Sequence, residues 1–255
     1  MQPRRLITRG VAPTVLLVCV IGLWEALVKI NDVPAYLFPA PTDVGHEFLH
    51  RHELLAASVV TGREIVIGYL AAVLAALGFA VAMHASKLCR QAFYPLLVVS
   101  QTVPTVLLAP ILVVAFGFGL TPKLIVIALV CFFPIVVNAY DGLQSADADR
   151  VRMLMSLHGT PWLRFRKLDV PMALPAAFSG ARVAATYAAV AAVFAEWTGS
   201  QAGLGFVILQ AGPSLETATI VAAVLILAVM ALALSGVVSA LQRLLIPWST
   251  EVRHA

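Results

Sequence analysis

The sequence predicts an all-α polytopic membrane protein with six transmembrane helices and both termini cytoplasmic. Three observations carry that prediction. Of 255 residues, 61% are hydrophobic and only 12% are Asp, Glu, Lys or Arg, where an ordinary soluble domain has about a quarter charged. The mean hydropathy is +0.94, and the apolar residues gather in windows of about twenty, the length that crosses a hydrocarbon core. The charges sit unevenly between those windows. A soluble enzyme built on a buried core is excluded, because so few polar residues could not cover so much apolar volume.

The elements follow in order. MQPRRLITRGVAPTVLLVCVIGLWEALVKI has a basic flank and then an apolar run. No small-residue cleavage site closes that run, so a retained first span over residues 11–28 is expected, with Trp24 as an interface anchor. Pro34, Pro39 and Pro41 next prevent helix formation, until Thr42 or Asp43 caps a short amphipathic helix running towards Arg51. A second span covers residues 58–83 and ends in the basic loop HASKLCRQ. The third apolar region, 92–118, contains Pro95, Pro104 and Pro110. Each proline removes a backbone donor, so a bent or interrupted helix facing the protein interior is expected. GFGLTPK leads into a fourth span at 124–140. A charged stretch over 141–182 follows, then a fifth span at 183–193 that extends into AVFAEWTG. The loop SQAGLGFVILQAGPSLETAT precedes the last span, 220–241. The whole chain, 1–255, reads as one transmembrane domain.

Charge sets the orientation. The N-terminus, the 84–92 loop, the 141–182 stretch and the tail together hold thirteen of the 17 Lys and Arg. The remaining bases are Lys29, Arg51, Arg63 and Lys123, accompanied by eight of the 13 acids. Bases near span ends collect in the cytoplasm, which places both termini and the central stretch there. The pI of about 9.2 then reflects topology, with anionic lipid headgroups as neighbours and no nucleic-acid partner required.

The central stretch reads as two short helices. Val151, Leu154 and Leu157 recur at intervals of three while Arg150 and Arg152 point elsewhere, and an acidic start suits the helix dipole. Gly159 is expected to stop this helix in a left-handed cap. Thr160 caps a second helix with Pro161 as its first residue. Trp162, Phe165 and Leu168 or Asp169 follow at helical spacing, with Arg164, Arg166 and Lys167 as a basic rim. Pro171 and Pro175 are expected to end the excursion. Apolar and aromatic anchors ringed by charge suit a knob that fits a groove on another protein. A solvated loop with a membrane-surface helix is the other reading of the same composition.

ADADRVRMLMSLHGTPWLRFRKLDVPMALPAAFSGAR resembles the coupling motif, the EAA loop, of ATP-binding-cassette importer permeases of the binding-protein-dependent type I class. Ser156, Leu157, Trp162, Phe165, Arg166, Pro171, Leu174, Pro175, Gly180 and Arg182 carry the match. Pro39-x-Pro41, Gln101-x-x-Pro104, Pro110, Phe116-Gly117, Phe133-Pro134, Asn138, Gly142-Leu143 and Glu196-Trp197 through Gly203-Leu204-Gly205 occur in the order that family shows, so the likeness covers nearly the whole chain. It is similar to the nitrate, sulfonate and taurine type permeases. Through TYAAVAAVFAEWTGSQAGLG it most resembles the subgroup that imports thiamine precursors such as hydroxymethylpyrimidine. Riboflavin-like solutes are a further alternative. The motif's acid and alanine positions fall near Arg152, Met153 and Leu154, and its usual glycine falls on His158.

The resemblance implies a permease subunit, not itself an enzyme, that binds no cofactor of its own. ATP and Mg would be bound by a cassette ATPase dimer, with a second permease copy and a periplasmic or surface solute-binding protein as the other partners. The absence of a G-x-x-x-x-G-K-[ST] loop agrees with ATP being handled on another chain. The segment over 141–182 would dock the ATPase, through Arg150, Leu154, Leu157, His158, Gly159, Trp162, Phe165, Arg166 and Pro175. Leu157, Trp162 and Phe165 would then be the anchors, while Arg150, Arg164 and Arg166 would steer docking.

For the pathway the candidates are Gln101, Pro104, Asn138, Glu196 and Trp197. Glu196 and Trp197 end a small-residue span beneath a Gly-rich loop. They read either as a gate or binding-protein contact, or as an interface anchor beside an exposed acid. Gln101 suits a pore lining and a helix–helix hydrogen bond equally; Asn138 suits polar helix packing. Arg63 and Glu64 are expected to reach water near the outer interface. His46, His50 and His52 lack a further ligand nearby, and Cys19, Cys89 and Cys131 are scattered, so no metal site or disulfide framework is expected. An ATPase-independent secondary transporter is the competing class; it would favour ionisable residues at mid-membrane.

Overall fold

The computed structural model describes residues 4–100, 102 and 104–249. Every regular element is helical: α1 (Arg4–Ile30), α2 (Pro41–His50), α3 (His52–Ala85), α4 (Lys87–Ser100), α5 (Ala109–Phe116), α6 (Leu120–Gln144), α7 (Ala148–Ser156), α8 (Pro161–Arg164), α9 (Val170–Gly199), α10 (Leu204–Ala211) and α11 (Thr217–Leu245). Among the described residues four helices are long and apolar enough to cross a membrane: α3, α6, the continuous rod Pro161–Gly199, and α11. The protein is therefore a multi-pass membrane protein. Exposed large apolar side chains run along these helices, among them Leu55, Leu70, Leu74, Val190 and Leu232. In a lipid solvent that surface carries no penalty.

The core lies where α3, α6 and α9 meet, and small residues make the meeting close. On α9, Ala177, Gly180, Ala184, Ala188, Ala191, Ala192 and Ala195 are buried. A Cβ on Gly180 would lie 2.8 Å from Asn138 Cβ and closer still to the Pro134 carbonyl, so α6 and α9 approach almost backbone to backbone. Tyr69 on α3 donates to the Ala181 carbonyl at 2.8 Å. The contact pairs 61/196, 69/181 and 84/169 show that α3 and α9 run antiparallel.

Several expectations are met closely and several are corrected. The third apolar region is interrupted: α4 carries Pro95, a single turn of tighter helix covers Thr105–Leu108, and α5 begins with Pro110 in its first turn. Pro104 sits exposed in the break, and Gln101 lies outside the described residues. The second helix is capped two or three residues earlier than expected. Ala40 is its N-cap, and Asp43 accepts from the Ala40 N–H at 3.0 Å. Pro171 and Pro175 do not break the chain. Val170 N–H donates to the Phe165 carbonyl, a wide five-residue turn that passes Pro171 without needing the hydrogen bond proline cannot make. Pro175 is then carried inside α9. Cys19 is exposed on α1, whereas Cys131 is buried; α1 packs inward chiefly through Trp24 and Val28.

Candidate functional site

The charged segment folds as a capped hairpin of short helices. Asp147 accepts from the Asp149 N–H at 3.0 Å and so starts α7. The helix closes with Gly159 N–H donating to the Leu154 carbonyl at 3.1 Å and His158 N–H donating to Met155 at 3.1 Å. The left-handed residue of this closure is His158, with φ of 59°, and not Gly159. Gly159 is needed for a different reason, since a Cβ there would lie 2.7 Å from the Leu154 carbonyl oxygen. His158 thus occupies the backbone conformation that glycine adopts at least cost. Thr160 accepts from the Leu163 N–H at 3.2 Å, with Pro161 first in α8.

Two of the expected anchors stand outward. Leu157 is 69% exposed and Trp162 is 66% exposed. Arg150 and Arg166 are exposed, and Leu154 is half-buried beneath Gly159. Phe165 turns inward, half-buried, and stacks on Trp162 with ring centroids 5.7 Å apart. Arg164, expected on the outer rim, instead points back: its Nε lies 3.3 Å from Asp169. Asp169 is 2% exposed and also meets His84 Nε2 of α3 at 3.1 Å. A groove of about 470 Å³ runs between the end of α3 and α8, with Val81, His84, Trp162, Arg164, Phe165 and Asp169 in its wall. The hairpin therefore presents an apolar tip and keeps a buried acid at its root. Arg152 pairs with Asp149 on the exposed face.

At the opposite end of α3 and α9 a second polar group is fully enclosed. Glu196, read from the sequence either as a gate or as an exposed acid, is 0% exposed. Its Oε1 accepts from Thr61 Oγ1 at 2.6 Å and its Oε2 accepts from the Gly205 N–H at 2.5 Å. Thr61 Oγ1 accepts in turn from the Leu204 N–H at 2.8 Å. One carboxylate thus satisfies the first backbone donors of α10, directly and through a hydroxyl, which is where negative charge is favoured on a helix. Glu64, expected to reach water, is 2% exposed and accepts from Lys123 Nζ at 2.5 Å. Lys123 also donates to Ser200 Oγ at 2.8 Å. Arg63 does lie at the surface. Trp197 is 42% exposed and packs edge-on against Phe194. Asn138 donates to the Pro134 carbonyl at 2.7 Å on its own helix and packs on Gly180.

Beside α10 a polar cavity of about 530 Å³ opens between Arg51, His52, Glu53, Gln210, Ser214 and Glu216. Arg51 pairs with Glu47 at 3.0 Å and with Glu216, tying α2 and the start of α3 to the loop before α11. His46 and His52 are exposed, and among the described residues no three His, Cys, Asp or Glu side chains gather as metal ligands.

Sequence reasoning missed Thr61, His84, Lys123 and the pairing of Asp169. A signal existed for part of this: a lone Glu64 and a lone Lys123 in apolar helices each demand a buried partner, because an uncompensated charge at membrane depth costs several kcal/mol.

Comparison with known proteins adds the remaining observation. The family model for the binding-protein-dependent transport system inner membrane component matches residues 68–250. The chain is 32% identical over 227 residues to a probable ABC transporter permease protein of Haemophilus influenzae, covering 89% of this chain and 93% of that protein. It is 30% identical over 250 residues to a formylaminopyrimidine transport permease protein of Halalkalibacterium halodurans, covering 94% and 96%. A riboflavin transport system permease protein of Chloroflexus aurantiacus is 31% identical over 250 residues, covering 95% and 91%.

Proposed function

The chain belongs to the family of binding-protein-dependent transport system inner membrane components, and from that premise we propose that it forms the solute pathway of an ATP-driven importer and couples it to a cassette ATPase through residues 141–182. It is a permease of the ABC-importer type, a non-catalytic subunit distinct from the ATPase, and it resides in the inner membrane. The observation that carries the coupling assignment is the construction of α7–α8. Exposed Leu157 and Trp162 lie at the tip of a capped hairpin whose second arm is the start of the 39-residue rod Pro161–Gly199, which carries the wide turn within it. A push on that tip is delivered to a membrane-spanning helix without a flexible joint.

In this reading the ATPase dimer receives Leu157 and Trp162 in its groove, while exposed Arg150 and Arg166 steer the encounter. Leu154, His158 and Gly159 shape the turn, and Phe165 and Pro175 connect it to α9. The permease works as a dimer, taken to be of identical chains, with six spans and both termini cytoplasmic, the orientation the basic residues favour. A solute-binding protein delivers cargo at the α10 end, beside the polar cavity around Arg51 and Glu216. Pro104 in the break after α4, with Gln101 nearby in sequence, borders the pathway, as does Asn138; Glu196 and Trp197 close its outer end. The cargo proposed is a thiamine precursor of the pyrimidine type, with riboflavin-like solutes, sulfonates, taurine and nitrate as the alternatives.

Co-expression with a cassette ATPase, followed by purification and uptake of labelled formylaminopyrimidine or hydroxymethylpyrimidine in vesicles, tests the assignment. Leu157→Asp and Trp162→Asp should each lower ATPase retention or ATP-driven uptake at least about tenfold, the size of a lost anchor. Normal retention and uptake in both variants would remove the coupling role. Uptake by the permease alone in liposomes would instead establish an ATPase-independent carrier.

A further inference from the structure

Glu47, Arg51 and Glu216 fasten one face of the molecule, and Thr61, Glu64, Lys123 and Glu196 lock the helices just inside it. Both groups are paired as structural ties, the first of them beside the polar cavity around Arg51 and Glu216. The unusual feature lies at the other end. Asp169, almost wholly buried at the root of the hairpin, is met by a side chain from a helix remote in sequence, His84 in the last turn of α3.

Covalent continuity carries motion of the hairpin into α9 and, through residues 145–147, into α6, but not directly into α3. α3 is joined to the hairpin along the chain through α4, α5, the tight turn at Thr105–Leu108 and α6, a path with an interruption in it. Side-chain contact must therefore move α3 directly. The contacts form a short relay: exposed Trp162 stacks on Phe165 at 5.7 Å, Phe165 lies against the His84 ring at 5.9 Å, and His84 Nε2 lies 3.1 Å from Asp169 Oδ2. Arg164 holds the same carboxylate at 3.3 Å. All five residues line the groove beside the hairpin, so a partner pressing on Trp162 presses on the relay.

We propose that His84 is a positioning residue for coupling: it pins α3 to the hairpin through Asp169, so that α3 and α9 move as one frame. The proposal rests on the ATPase-coupling reading of the preceding section. Geometry explains why one residue suffices. The second pin, Thr61 to Glu196, lies at the far end of the same two helices. The interval from 61 to 84 corresponds to about 34 Å of helix, roughly the thickness of the hydrocarbon core. Two pins so far apart prevent the helices from sliding or splaying, with Tyr69 to Ala181 between them. Loss of the His84 pin leaves the end of α3 beyond Tyr69 without its tie to Asp169, free to lag behind α9.

The test uses the permease–ATPase complex in nanodiscs, on a background with Cys19, Cys89 and Cys131 replaced by alanine. Spin labels go at Ala82 on α3 and Met153 on α7, both exposed, and distances are read without nucleotide and with ATP plus vanadate. The unsubstituted frame should give one narrow distribution in both states. His84→Ala and His84→Leu should broaden it or shift it by more than about 3 Å with ATP–vanadate, beyond the usual small helix shifts, and raise ATP hydrolysed per labelled formylaminopyrimidine imported about tenfold. His84→Gln, whose amide can still donate to Asp169, should keep the narrow distance distribution and bring ATP hydrolysed per solute to within about threefold of the unsubstituted chain. His84→Leu keeps packing on Phe165, so it decides the matter even where His84→Ala does not fold. Unchanged distances in His84→Leu overturn the pin and leave the coupling reading intact. Failure of the unsubstituted chain to retain any ATPase overturns the coupling reading, and the pin falls with it.

Discussion

Thr61 Oγ1 and Glu196 Oε1 lie 2.6 Å apart across 135 residues of chain, with no solvent access to either residue. The same carboxylate holds the Gly205 N–H, so α3, α9 and α10 converge on one buried acid. Burying that charge is affordable only because every lone pair in use has a donor. Its neighbour Glu64 is neutralised separately by Lys123.

Replacing Glu196 with Gln should therefore be far from conservative. One amide oxygen can still accept from Thr61, but the NH2 group then faces the Gly205 N–H, donor against donor. We expect a loss of about 2 kcal/mol, the cost of a broken bond to a charged group, read as a lowered midpoint of thermal unfolding in detergent. A midpoint equal to that of the natural chain would show that α10 is held by something else.

Lys123→Met should cost about 3–5 kcal/mol, because it leaves Glu64 as a buried uncompensated charge. Adding Glu64→Leu to the same chain should recover most of that loss. A double-mutant cycle on thermal stability measures the coupling; additivity of the two changes would mean that the pair does not interact.

His158→Gly should stabilise the hairpin by up to about 1 kcal/mol, since a left-handed backbone disfavours any side chain with a Cβ. His158→Val should do the opposite, β-branched residues being the least tolerant of positive φ. Hydrogen exchange of the Gly159 amide, which donates to Leu154, reports the change locally. Slower exchange in the valine variant than in the glycine variant would contradict the assigned turn.

Gly180→Val should separate α6 from α9, as its side chain would overlap Asn138 and the Pro134 carbonyl. Overpacking at a contact this tight is expected to cost about 3 kcal/mol or to abolish folding. Gly78→Val, at a position where nothing lies within 4 Å, is the control, and equal behaviour of the two would count against the packing described.

The class of protein, the apolar helices, the break around Pro104, the Thr160–Pro161 cap and the outward placing of Leu157 and Trp162 were legible from the residues alone. Each depends on local properties: the length of an apolar run, the missing donor of a proline, the hydroxyl of a capping threonine. The extent of helix was less legible, because a wide turn can carry a helix through Pro171 and Pro175 and no side-chain pattern announces it. The left-handed position fell on His158 and not on the adjacent glycine, since the closing bonds to Leu154 and Met155 fix the register. What only the tertiary structure decided was which polar groups meet. Glu64 finds Lys123 59 residues away, His84 finds Asp169 85 residues away and Thr61 finds Glu196 at 135. A sequence states that a buried charge needs a partner; only the packing of helices remote in sequence brings the two side chains within hydrogen-bond reach.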